Sequence, residues 1–163
     1  MIITKTPYRI PLSGGGTDLE FYYKKFNGHL ISVAINQYIY VCFSERKIDE
    51  NYLIQTTSTE FSECLTNIKN SLIRETLKYY NIKEKVYVGT FSTIPTRTGL
   101  GTSSAMVIGL INCIVKFKNL KISSKKIVQD AFVIERKICK IYGGWQDQII
   151  SQYGGLVDIK ISK

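Results

Sequence analysis

The sequence predicts an α+β domain, and three observations carry that expectation. Runs of β-branched and aromatic residues alternate with segments of helical period. Their order follows no regular βαβ repeat, which argues against a doubly wound parallel sheet. At 163 residues, with 44% hydrophobic and 21% charged side chains, the chain can bury one real core and has an ordinary globular composition. It contains no repeat, low-complexity stretch or internal linker, so residues 1–163 are assigned to one domain.

Taken in chain order, a strand through Arg9 and Ile10 leads to Gly14-Gly15-Gly16. Leu30 to Ile35 and Tyr38 to Phe43, separated by Asn36-Gln37, read as two strands or one bent pair. Leu65, Ile68, Leu72, Leu77 and Tyr80 recur near helical spacing, predicting a helix over Ser62 to Tyr80. Val86 to Ser92 is a further strand that delivers the chain to Pro95. Ala105 to Val115 is almost wholly apolar and long enough for a buried helix. A last long helix is predicted from an N-cap at Ser123 or Ser124 to Tyr142, stopped by Gly143-Gly144. A short helix through Ile149-Ile150 and a strand from Leu156 to Ile159 follow.

The formal charge of +9 is spread along the chain, with only short pairs such as Lys24-Lys25 and Lys125-Lys126. No basic block or interleaved aromatic-basic stripe marks a nucleic-acid partner, and a diffuse positive field suits anionic small molecules equally well. No apolar run has the length of a membrane span, and the start, Met1 to Pro7, is too short in apolar residues for a signal peptide. A cytoplasmic location is therefore expected. Cys42, Cys64, Cys113 and Cys139 form no Cys-x-x-Cys pair and read as reduced thiols. His29, the only histidine, has no partner for a zinc site.

Four segments carry candidate chemistry. Gly99-Leu100-Gly101-Thr102-Ser103-Ser104-Ala105 opens the apolar helix. Glycines allow close backbone approach to an anion, and the helix start and its hydroxyls favour negative charge, so a nucleotide phosphate with its magnesium fits here. The alternative is a tight strand-to-helix turn with a serine cap. The Gly-Lys-Ser/Thr of a P-loop is missing. Glu135 falls in line with the apolar stripe Val128, Ala131/Phe132, Ile138/Cys139 and Tyr142. A carboxylate there needs a cation, a metal or several donors, unless it sits at the rim beside a lysine. Gly143-Gly144-Trp145-Gln146-Asp147-Gln148 presents Asp147 at a helix junction, as a positioned base or as an N-cap. Arg9 precedes Gly14-Gly15-Gly16-Thr17-Asp18, where glycines admit a ligand and Asp18 serves either sugar hydroxyls or a helix start.

In this order the blocks resemble the GHMP kinase family, the galactokinase, homoserine kinase, mevalonate kinase and phosphomevalonate kinase group. Ile94-Pro95-Thr96-Arg97-Thr98 with Gly99 to Ala105 is similar to the family's nucleotide-phosphate loop, and Glu135 with the Asp147 block is similar to its metal and base pair. Thr6-Pro7-Tyr8-Arg9, Gly-Gly-Gly-Thr-Asp and Trp-Gln-Asp-Gln most resemble the branch acting on D-glycero-D-manno-heptose 7-phosphate. The resemblance implies the family's two-layer N-terminal domain, a mixed or antiparallel sheet packed with helices. It also implies transfer of the γ-phosphoryl group of magnesium-ATP to the anomeric hydroxyl of the sugar. The implied roles are phosphate binding by Gly99, Leu100, Gly101, Thr102, Ser103 and Ser104, and magnesium binding by Ser103 and Glu135. Asp147 is implied as base, Arg9 as the group that neutralises charge, and Gly15, Gly16, Thr17 and Asp18 as sugar contacts. The resemblance is equally compatible with fucose or galactose as acceptor, or with a non-catalytic nucleotide-binding fragment. Two departures stand out. Arg97 occupies a position where relatives carry a small residue, and relatives are about twice as long, so the chain is expected to represent their first half.

Overall fold

The computed structural model describes residues 1–95 and 98–162; Thr96, Arg97 and Lys163 lie outside the described residues. Its elements are β1 (Ile2–Ser13), α1 (Glu20–Phe26), β2 (Gly28–Glu45), β3 (Tyr52–Gln55), β4 (Thr59–Ser62), α2 (Ser71–Tyr79) and β5 (Val86–Ser92). They are followed by α3 (Thr102–Phe117), α4 (Ser124–Phe132), a π-helical turn (Val133–Ile138), α5 (Gln146–Tyr153) and β6 (Leu156–Ile161).

The strands form one mixed sheet in the order β1-β2-β5-β3-β4, with β6 also paired to β2. Only β3 and β5 run parallel; the other pairs are antiparallel. The helices cover one face, as expected of a two-layer α+β domain. Val41, Phe43, Ile54 and Val88 of the sheet pack with Leu110, Ile111 and Ile114 of α3, Ile73 and Leu77 of α2, and Ala131 and Ile134 beyond them. This is why α3 is apolar all round: it lies between the sheet and the other helices.

The strand pair expected on either side of Asn36-Gln37 is a single strand of 18 residues. Its N-terminal part pairs with β6 and its C-terminal part with β5. The turn signal survives as a bulge. From Pro7 to Arg9 the β1 register advances two residues, while β2 advances four, from Tyr38 to Ala34. A bulge bends and twists a strand locally, and this one sits beside Arg9.

Two expected helices are shorter than their periodicity predicts. The segment from Ser62 to Tyr80 holds the end of β4, a 3₁₀ turn at Leu65–Asn67, and only then α2. Glu60 accepts the backbone N–H groups of Lys69 and Asn70, and the Asn70 side chain caps α2 by accepting from Ile73 N. Ile68 is fully buried from that turn, which imitates helical spacing. The helix expected to reach Tyr142 leaves α geometry at Val133 and ends at Ile138. Among the described residues no helix is long and apolar enough to cross a membrane, and all four cysteines are free.

Candidate active site

The Gly99–Ser104 loop is held by β1. Arg9 N donates to Leu100 O at 3.2 Å, and Arg9 Nη1 donates to Gly99 O at 2.7 Å. Gly99 and Gly101 have φ of +76° and +77°, a left-handed conformation that glycine adopts without a steric penalty. Gly101 is the N-cap of α3, so the N–H groups of Thr102, Ser103 and Ser104 belong to a first turn with no partners inside the helix.

Arg9 also reaches across the chain to Asp147. Its Nε and Nη2 lie 2.6 and 2.5 Å from Asp147 Oδ1, with the two side chains 11% and 21% exposed. Asp147 is not the N-cap of α5. Trp145 holds that position without a side-chain cap bond, and the Asp147 carboxylate is directed to Arg9 from the first turn.

Glu135 is completely buried. Ser104 Oγ donates to its Oε1 at 3.0 Å and Gln148 Nε2 donates to its Oε2 at 2.5 Å. Burial pushes the Glu135 carboxyl above the usual carboxylate range, against the opposing pull of Arg136 and these two donors. Glu135 is thus an interior residue and not a rim glutamate beside a lysine. Ser103 lies on a different surface, in the wall of a cavity of about 720 Å³ that also includes Thr102, Tyr8, Phe91, Ile94 and Met106.

The π-helical turn places Arg136 in the same cluster. Its Nη1 lies 3.8 Å from Glu135 Oε1 and its Nη2 3.8 Å from Asp147 Oδ2, while Nε donates to Gly144 O at 3.4 Å. The glycine pair makes this packing feasible. A Cβ at Gly143 would stand 2.6 Å from Arg136 Cζ, and one at Gly144 would stand 2.1 Å from Asp18 Oδ2. Asp18 is therefore tucked under the loop, with its Oδ2 accepting from Gln146 N at 3.0 Å. It caps no helix of its own, since Leu19 is the N-cap of α1. Thr17 Oγ1 bonds Gly14 O and His29 O, so this hydroxyl secures its own turn to β2.

Arg9, Asp18, the Gly99–Ser104 loop, Glu135 and Asp147 thus converge from four distant stretches of sequence. Arg136 and Gln148 join them without a role foreseen from sequence. Arg136 lies one residue off the apolar stripe, and Gln148 was legible only as an amide beside Asp147. Two buried polar atoms here lack a partner among the described residues, Gln146 Nε2 and Gln148 Oε1. The buried carboxylate, the adjoining hydroxyls and the amide oxygen form an all-oxygen donor set, the kind a hard divalent cation prefers. The residues present fit magnesium.

A family profile described as "GHMP kinases N terminal domain" matches residues 67–155. The chain is 33% identical to a D-glycero-alpha-D-manno-heptose 7-phosphate kinase of Campylobacter jejuni, over 94% of this chain and 49% of that protein. It is 25% identical to an L-fucokinase/L-fucose-1-P guanylyltransferase of Bacteroides fragilis, over 94% of this chain and 19% of that protein. The crystal structure of a D-glycero-D-manno-heptose 1-phosphate kinase from Bacteroides thetaiotaomicron superposes with a TM-score of 0.91 at 26% identity, covering 100% of this chain and 57% of the other. The chain spans about half the length of the heptose-kinase relatives it matches.

Proposed function

Since the chain belongs to the GHMP kinases and carries the fold of their N-terminal domain, we propose that it serves an ATP-dependent sugar kinase. The proposed reaction is phosphorylation of the anomeric hydroxyl of D-glycero-D-manno-heptose 7-phosphate to the 1,7-bisphosphate. The observation that carries the reading is the Arg9–Asp147 pair, set between the glycine loop and the buried Asp18. It joins a phosphate-binding turn to a carboxylate pair of the kind that binds and activates a hydroxyl.

In this reading the amides of Gly99 to Ser104 cradle the β- and γ-phosphates, and the 720 Å³ cavity next to Thr102 and Ser103 receives the nucleoside. Bound magnesium neutralises phosphate oxygens, and Ser103 and Glu135 hold it, with Ser104 and Gln148 fixing the Glu135 carboxylate. Asp147 aligns the acceptor hydroxyl and takes its proton. Arg9 keeps that carboxylate oriented and offsets charge on the transferring group. Asp18, with Gly15, Gly16 and Thr17 shaping its turn, binds the sugar. Phosphoryl transfer draws most of its acceleration from such positioning and electrostatic stabilisation.

The match to the L-fucokinase of Bacteroides fragilis favours a second reading, transfer to an unphosphorylated sugar such as fucose. Release of ADP that depends on heptose 7-phosphate, and not on fucose or galactose, supports the first reading; the reverse preference supports the second. Calorimetry tests the metal assignment. Ser103→Ala and Glu135→Gln are each expected to weaken magnesium-dependent ATP binding, and unchanged binding in both removes it.

A further inference from the structure

We propose that the cleft between α1 and the π-helical turn seats a phosphomonoester, the phosphate group the sugar already carries. The proposal deepens the sugar-kinase reading and rests on it for the identity of the ligand's body. The cleft has a volume of about 550 Å³ and lies next to the site just described. Its wall includes Leu19 and Gly143, the chain neighbours of Asp18 and Gly144.

Charge gives the cleft its character. Lys24, Arg136, Lys137 and Lys140 line it, against a single carboxylate, Glu20. Arg136 is the buried floor, with its side chain only 7% exposed. Its guanidinium bonds Gly144 O and faces Asp147, so one residue belongs to both the cleft and the catalytic corner. Lys24 and Lys137 both lean onto Glu20, at 2.5 and 2.7 Å, and Lys140 has no ion-pair partner among the described residues. Glu20 therefore occupies the position between two ammonium groups where a phosphate dianion, with twice the charge, is the stronger partner. The apolar part of the wall, Phe21, Phe132 and Ile141, excludes water from one side and strengthens the attraction.

Geometry selects a small phosphate and not a polyanion. A nucleic-acid or acidic-peptide track needs cations in a continuing line, whereas the remaining lysines and arginines are scattered. The triphosphate of the donor is served by the loop at Gly99–Ser104, on the Arg9 side of Asp147. A sugar lying along Asp18 and Asp147 would present the hydroxyl to be phosphorylated at one end and place its own phosphate in the cleft at the other.

The test is a titration of this chain with heptose 7-phosphate and with the same heptose lacking its phosphate, using inorganic phosphate as competitor. The phosphorylated sugar is expected to bind at least about tenfold more tightly, and inorganic phosphate to erode that advantage. In the double variant Lys137→Ala/Lys140→Ala the advantage should fall by about tenfold. Glu20→Gln, which releases two ammonium groups, should increase it several-fold; a gain of binding cannot come from misfolding. Equal affinities for the two sugars, or a phosphate preference that survives in the double variant, overturn the proposal. If no sugar accepts phosphate from ATP while the preference follows these residues, the kinase reading fails and the cleft stands. If transfer occurs with the preference unaltered in the double variant, the cleft alone is rejected.

Discussion

Replacing Asp147 by asparagine separates chemistry from architecture. Both Arg9 contacts converge on one oxygen, Oδ1, at 2.5–2.6 Å, so an amide oxygen in that place preserves the geometry and removes only the charge. A charge-assisted hydrogen bond is roughly twice as strong as a neutral one and contributes about 1.5–3 kcal/mol. Losing the charge from two such bonds, in side chains 11% and 21% exposed, should cost about 1–2 kcal/mol after partial compensation by water. For a domain of this size that lowers Tm by roughly 2–8 °C. Turnover should respond differently. A positioned base contributes about 10²-fold or more, so kcat in the full-length enzyme should fall at least that far while ATP affinity hardly changes. Calorimetric melting and an ADP-release assay on one preparation read both quantities. An enzyme that melts earlier but turns over at the parent rate would refute the base assignment and leave Asp147 as a structural partner of Arg9.

Three further outcomes are expected. Glu135 has a carboxyl pKa raised by burial, so between the ordinary value of 4.5 and the raised folded value the native state holds more protons than the unfolded chain. Stability should therefore fall as pH rises through that window. Urea unfolding without nucleotide or magnesium should show Glu135→Gln flattening this slope, helped by rotation of the Gln148 amide to use its unpartnered Oε1; superimposable pH profiles would contradict it. Asp18→Ala should raise KM for the sugar far more than KM for ATP in the full-length enzyme, and the opposite pattern would remove Asp18 from the acceptor side. Gly143→Ala should destabilise by about 1–3 kcal/mol, because its Cβ would stand 2.6 Å from the Arg136 guanidinium carbon. Gly15→Ala, with nothing within 4 Å of the added Cβ, should shift the urea midpoint little; similar losses in both would show that packing against Arg136 is not the cause.

The site was more legible in the sequence than the fold around it. Glycines before a hydroxyl-rich helix start and a carboxylate on an apolar stripe are local patterns, and Gly99–Ser104 and Glu135 could be read from them directly. Asp18 and Asp147 each had two local readings, base or ligand against helix cap. Only tertiary contact, Asp147 to Arg9 and Asp18 to Gln146 N, shows that neither is a cap. The partners of Glu135 lay beyond local pattern altogether, since Ser104 and Gln148 are 31 and 13 residues away. Strands β3 and β4 are only four residues each, too short to display alternation, and Ile68 copied a helical period from a turn. Asn36-Gln37 carried a genuine signal whose meaning depended on neighbours: with β1 pairing on both sides, the break became a bulge.

The π-helical turn has a consequence for how this segment tolerates insertion and deletion. Its wide backbone loop, in which Cys139 N reaches Ile134 O, holds one residue more per hydrogen-bonded turn than an α-helix does. Deleting one residue between Val133 and Ile138 would let the segment relax into regular α-helix, a change that local backbone energetics would favour. The same deletion would rotate everything after it by about 100°, the angle per residue of 3.6-residue turns. Glu135 and Arg136 are consecutive, yet both now face the same polar cluster. A deletion at this turn would separate them, and the surplus residue that looks like a local irregularity is what lets two neighbours in sequence act as neighbours in the site.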